Sequence, residues 1–154
     1  MKPLDRIGEG AYSSVFEISD TSRVIKIYGK DSWMDFKNEV SILHLLCNYN
    51  RNGNTFIKCY DYGYCQKTKK GWSVLPKLHS DLELHPPSDS KYWSIAVQLL
   101  NQIEQLHELG IIHQDIKPAN IMWTDENKNS SAMGAELRTF GIAVKRANHC
   151  AISA

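Results

Sequence analysis

The sequence predicts an α+β chain, in which a strand-rich first part carries one helix and a second part opens a helical unit. Two observations predict it. Short alternating segments, separated by glycine-containing and polar turns, fill most of the stretch before residue 80. The pattern then changes at Pro86-Pro87, after which apolar residues recur at helical spacing.

In chain order, Leu4 to Ile7 and Ser14 to Ile18 read as strands flanking a glycine-containing turn. Asp20-Thr21-Ser22 turns the chain into Val24-Ile25-Lys26-Ile27-Tyr28, which alternates as a half-buried strand should. Ser32 can cap a following helix, with Asp35 three residues later in a near capping box. Phe36, Val40, Leu43 and Leu46 form its apolar stripe, and Glu39 lies beside that stripe. Two more strands are expected, roughly Phe56 to Gln66 and Trp72 to Leu78. The Lys67, Lys69, Lys70 run between them reads as a solvated hairpin tip. A hinge near Lys77 to Ser80 follows. Ser88 or Ser90 then starts a long amphipathic helix with Ala96, Leu99, Leu100, Ile103 and Leu106 on its apolar face, ended by Gly110. The expected division is 1–78 for the strand-rich lobe and 79–154 for a partial helical lobe.

Composition sets the bounds. A chain of 154 residues with 42% hydrophobic and 23% charged residues has the make-up of an ordinary soluble globular protein. A formal net charge of +1 gives no electrostatic reason to expect nucleic acid or an anionic membrane as partner. Cys47, Cys59, Cys65 and Cys150 form no C-x-x-C pair and no zinc spacing, which fits a reducing compartment. Met1 to Asp5 lacks the apolar stretch of a signal peptide, and no window approaches the roughly 18 apolar residues of a membrane span. Cytoplasm or nucleus is the resulting expectation.

Three segments carry chemistry. Ile7-Gly8-Glu9-Gly10-Ala11-Tyr12-Ser13-Ser14-Val15 follows G-x-G-x-x-G-x-V, with Ser13 at the third glycine; such glycines let backbone amides approach phosphate oxygens. An ordinary β-turn accounts for this segment equally well when it is taken alone. Lys26 ends Arg23-Val24-Ile25-Lys26, one strand after the glycine turn and just before the helix that carries Glu39. A lysine held by a glutamate can present its ammonium to the α- and β-phosphates of a nucleotide. The most specific segment is His113-Gln114-Asp115-Ile116-Lys117-Pro118-Ala119-Asn120. There an aspartate can accept the proton of a substrate hydroxyl, a lysine can neutralise a transferred phosphoryl, and an asparagine can hold magnesium.

Taken in this order, the segments resemble a eukaryotic protein kinase catalytic domain, and within that group the monopolar-spindle (spindle-checkpoint, dual-specificity) kinase family. The narrower likeness rests on Asn38-Glu39-Val40, Tyr60-Asp61-Tyr62, Ser80-Asp81-Leu82, Ser90-Lys91-Tyr92-Trp93 and Lys117-Pro118-Ala119-Asn120. The resemblance implies a protein kinase-like fold: a five-stranded antiparallel N-lobe with one helix, plus the beginning of a helical C-lobe. It also implies ATP and Mg2+ as cofactors and a protein substrate or partner protein. By position, Gly8, Gly10 and Val15 would cover the nucleotide, Lys26 would meet its α/β-phosphates, and Glu39 would pair with Lys26. Leu75 would be gatekeeper, with Pro76 to Leu78, Lys77 among them, as hinge. Asp115 would be the catalytic base, Lys117 its phosphate-side partner, Asn120 a magnesium ligand, and His113 structural.

The pattern departs from that family in three places. Thr139-Phe140-Gly141-Ile142-Ala143 stands where D-F-G-I-A is expected, so a neutral hydroxyl replaces the carboxylate that binds the bridging magnesium. Asp125, Glu126 and Glu136 are the nearest carboxylates that could stand in. The chain ends thirteen residues after Gly141, without an A-P-E segment. Gln114 also replaces the arginine that meets an activation-loop phosphate in the family. Three functions therefore compete: a protein kinase with weakened turnover, a pseudokinase-like binding module, and a non-functional kinase fragment.

Overall fold

A computed structural model describes residues 5–19, 21–49 and 56–123, together with the backbone of 135–137. Its sheet runs through β1 (Arg6–Glu9), β2 (Ser13–Glu17), β3 (Arg23–Tyr28), β4 (Asp61–Cys65) and β5 (Lys70–Pro76). The strands lie in the order β1-β2-β3-β5-β4, every neighbouring pair antiparallel. Helix α1 (Trp33–Tyr49) follows β3, and α2 (Asp89–Glu108) follows the hinge. A 3-10 turn at Pro118–Asn120 leads into β6 (Ile121–Trp123), which pairs with β7 (Ala135–Leu137). The five-stranded antiparallel lobe with one helix and a partial helical lobe is the architecture expected from the sequence.

Register decides which side chains meet. Val15 lies opposite Lys26, Lys26 opposite Ser73, and Val24 opposite Leu75, so these residues share the sheet face on which α1 rests. The helix reaches that face at two close approaches. A methyl group on Gly71 would sit 2.4 Å from the Phe36 ring, so only glycine lets the ring come this near β5. Phe36 then packs edge-on against Tyr28, ring centroids 5.2 Å apart, and Val40 completes that cluster. One turn on, Leu43 joins Val24, Ile57 and Leu75.

A third cluster binds the helices together. Ile42 and Leu46 of α1 pack with Phe56, Leu82, Ile95, Leu106, Ile111, Ile121 and Trp123. The hinge segment is stitched to β6 by backbone hydrogen bonds: Trp123 N–H donates to Ser80 O at 2.8 Å, and Leu82 N–H to Ile121 O at 2.9 Å. The Trp123 indole N–H donates to His85 O, which satisfies the polar end of a fully buried ring.

Two details differ from the sequence reading. The fourth strand begins at Asp61 rather than Phe56, because Phe56 and Ile57 are buried one after the other in two different clusters and do not alternate across the sheet. On α2, Ile95 and Gln102 take inward positions with Leu106, whereas Leu100 is 64% exposed. The spacing 95, 99, 102, 106 keeps to one side of an α-helix, and Leu100 falls off that line. Of the two serines expected to start α2, Ser88 holds the N-cap position, as one of those alternatives had it. Gly110 ends the helix with φ +69, where glycine is at ease.

Replacing Gly71 by alanine is expected to force Phe36 off β5 and cost about 1–3 kcal/mol, as overpacked cores do. A thermal melt of Gly71→Ala should fall several degrees below the parent chain. A melt within one degree of the parent would show that Phe36 yields freely.

Candidate active site

Lys26 occupies the middle of β3, where its Nζ donates to Glu39 Oε2 at 2.6 Å. Both side chains are nearly closed to solvent, at 5% and 7% exposure. The sequence placed Glu39 beside the helix stripe; the packing brings it fully inside, because its partner lies on the buried sheet face. Removing water from two charges is costly, and only a short, hydrogen-bonded pair offsets that cost. The pair therefore holds α1 at a set height over the sheet.

Around the pair, Val15 lies opposite Lys26 on β2, and Leu75, 2% exposed, lines the same face one register step away. Gly8 lies opposite Val15, and Gly10 N–H closes the β1–β2 turn on Ser13 O at 2.8 Å. Among the described residues no atom would clash with a methyl group on either glycine, so the turn itself does not demand them. Their small size leaves open space at the turn. Lys77 is engaged elsewhere: its N–H donates to Ser22 O at 2.9 Å, and its ammonium pairs with Glu17 at 2.7 Å. That places the Lys77 side chain against β2. A cavity of about 320 Å³ also opens at the tip of the sheet, lined by Gly10, Tyr12, Ser13, Tyr28, Ser32 and Lys70, and includes neither Lys26 nor Asp115.

The second cluster follows α2. His113 is buried, and its Nδ1 accepts the Asp115 N–H at 3.3 Å. Gln114 between them takes a left-handed backbone, φ 64, a conformation that costs energy for a side chain of this length. The turn aims Asp115 outward. Lys117 Nζ lies 3.0 Å from Asp115 Oδ2. Asn120 Nδ2 donates to the same oxygen at 2.7 Å and to the Asp115 carbonyl at 2.8 Å. Lys117 first and Asn120 second hold the Asp115 carboxyl below the usual carboxylate range. Asp115 is thus an anion with a fixed orientation, suited to accepting a hydrogen bond from a hydroxyl.

The chain brings together Lys26 with Glu39, and Asp115 with Lys117 and Asn120. For magnesium, the described residues offer a poor fit by themselves. Among them no cluster of three or more His, Cys, Asp or Glu stands ready to hold a metal ion. Asn120 spends its amide N–H groups on Asp115, which leaves one neutral oxygen. Thr139, the residue at issue in the T-F-G segment, lies outside the described residues, as do Asp125 and Glu126; of Glu136 only the strand pairing with Met122 is described.

Two buried hydroxyls beside the ion pair were not legible as site residues. Tyr28 follows Lys26 by two positions and therefore shares its face, and Ser73 lies opposite Lys26; that period of two is the signal that could have found them.

The sequence model for the protein kinase domain family matches residues 1–152 of this chain. The chain belongs to the protein kinase family. A Caenorhabditis elegans protein named as a serine/threonine-protein kinase is 31% identical over 131 residues, covering 78% of this chain and 37% of that relative. The chain thus spans well under half the length of this kinase relative.

Two outcomes check the geometry. Lys26→Met leaves Glu39 buried without its cation and is expected to cost about 3–5 kcal/mol, while Lys26→Met/Glu39→Leu recovers most of that loss. Urea unfolding of the three chains measures it. Separately, Lys117→Met should move the Asp115 carboxyl titration upward, toward the ordinary range, as followed by 13C NMR. The sign follows from a depressed pKa: any stability Asp115 contributes is present above its ordinary pKa and lost as pH falls through the depressed one. An unchanged Asp115 titration would mean Lys117 does not set it.

Proposed function

We propose that this kinase-family chain binds ATP in the manner of a Ser/Thr or dual-specificity protein kinase of the monopolar-spindle type, with phosphoryl transfer to protein hydroxyls strongly weakened. The observation that carries this reading is the buried Lys26–Glu39 pair, 2.6 Å long, set opposite Val15 on the face below the glycine turn. A cation held there supports contact with nucleotide phosphates. Asp115, with Lys117 and Asn120 fixed on it, supports hydroxyl orientation. Weak turnover follows from Thr139: in this reading magnesium arrives with the nucleotide and meets only the neutral oxygen of Asn120 where the family has a carboxylate as well. The natural partners in this reading are ATP and a protein substrate or partner protein, in the cytoplasm or nucleus.

A second reading, a pseudokinase-like binding module, is favoured by one observation. Trp93, Val97 and Leu100 recur at i, i+4, i+7 on α2 and are 77%, 54% and 64% exposed. An apolar stripe of that spacing left open to solvent is a contact surface for another protein.

The test is a thermal melt of the chain with and without ATP, each with and without magnesium. A ligand bound only by the folded state stabilises by RT ln(1 + [L]/Kd), about 2.7 kcal/mol at a hundredfold excess over Kd. An upward shift with ATP that depends little on magnesium is the expected result, and Thr139→Asp should restore magnesium dependence and measurable transfer. A cooperative melt that ATP does not move would favour the binding module instead.

A further inference from the structure

The Lys26–Glu39 pair rests on two buried hydroxyls that the nucleotide reading does not use. Tyr28 is 1% exposed and Ser73 is 0% exposed, and neither hydroxyl makes a direct hydrogen bond among the described residues. A buried hydroxyl left without a partner costs about 1–3 kcal/mol, so these two need an acceptor or donor close by. The described residues offer a place for it. Ser73 lies directly opposite Lys26 in the β3–β5 register. The Tyr28 ring lies 4.8 Å from the Lys26 ammonium and is pinned from above by Phe36, three residues before Glu39 on α1. Burial first and the Glu39 charge second push the Tyr28 phenol far above its ordinary range, so it stays a donor at any physiological pH. Cys59 is the other titratable neighbour, and burial pushes its thiol up as well, leaving it neutral.

We propose that Tyr28 is a positioning residue: its hydroxyl, steadied by Ser73, donates to the Glu39 carboxylate through one buried water and holds that carboxylate on Lys26. The ring keeps α1 in place by packing and the hydroxyl keeps the charge in place by hydrogen bonding. These are separate roles on one side chain. Helix α1 is thereby set in its inward position by residues of the lobe itself. The consequence for nucleotide binding rests on the reading above; the contact between Tyr28 and Glu39 does not.

The roles separate in Tyr28→Phe, which retains the ring and removes only the hydroxyl. The readout is a 13C NMR titration of the Lys26 side chain in the full chain with 13Cε-labelled lysine, without nucleotide. Exposed Lys30 serves as internal reference. Without the hydroxyl the Glu39 carboxylate is no longer held on Lys26, the charges move apart, and the Lys26 midpoint is expected to fall. Ser73→Ala should move it the same way by less. In a Glu39→Gln background, Tyr28→Phe should cause no further shift. A Lys26 midpoint equal to that of the parent in folded Tyr28→Phe overturns the proposal. So does an equal drop in the Glu39→Gln background, since the effect would then be general loosening. If Tyr28→Phe does not fold, Ser73→Ala decides: a lowered midpoint supports the proposal and an unmoved one refutes it. A chain that binds no ATP still gives this titration, so failure of the nucleotide reading is told apart from failure of this one.

Discussion

The rest of the structure depends on one buried ion pair. Lys26 and Glu39 come from different elements, thirteen residues apart, and meet where almost no water reaches. Neither charge would stay ionised there alone, because burial penalises the charged form of both groups. The pair is therefore a constraint on α1 as much as an interaction: a carboxylate displaced by a turn would be buried without its cation. Few other contacts in a small lobe set the height of a helix so narrowly, since apolar packing tolerates small slides and a desolvated charge does not.

Helix α1 makes that constraint felt everywhere. It contributes Phe36 and Val40 to the cluster at the sheet tip, Leu43 to the cluster under Leu75, and Ile42 and Leu46 to the cluster shared with α2. Glu39 sits between those contributions on the same helix. Fixing its carboxylate fixes the phase of the helix at which all three clusters form. The hinge segment joins the same system through β6, whose Trp123 is both a core ring and the backbone partner of Ser80. Packing, polar satisfaction and the site geometry are thus one problem with one solution, as expected of a sequence in which each level supports the others.

Much of this was legible in the sequence, for reasons tied to particular residues. Strands β1 to β3 and β5 announce themselves by alternation and by turn residues, and α1 by a stripe that begins at a capping serine. The Lys26–Glu39 contact and the Asp115–Lys117–Asn120 cluster could be named because those residue types at that spacing and order serve one chemistry. What stayed hidden was local. Phe56 and Ile57 look like strand residues, but two successive apolar side chains can also plug two different cores, and only tertiary packing decides. Gln102 turned inward in place of Leu100 because helix phase, not hydrophobicity, chooses the buried side. Tyr28 reads as an ordinary strand aromatic until register sets it beside Ser73 and below the pair.

The two halves of the site differ in what holds them. Lys26, Glu39, Val15 and Leu75 are fixed by the sheet and α1, whose clusters close among residues of the first lobe, with α2 adding a third. Asp115 is held by its own turn: His113 from inside, Lys117 and Asn120 from the front. The contacts that hold both arrangements are made among the described residues. In the proposed function, threonine at the start of the T-F-G segment would remove a charge from the transferring end of a nucleotide and leave the Lys26–Glu39 pair, which would grip its other phosphates, in place. In that reading binding and turnover would rest on different residues, so a loss of the second would not remove the physical basis of the first. That asymmetry is why the proposed function keeps ATP and weakens transfer: a lone lysine on a strand would have no reason to be buried, and this one is buried, paired and aligned beneath the glycine turn.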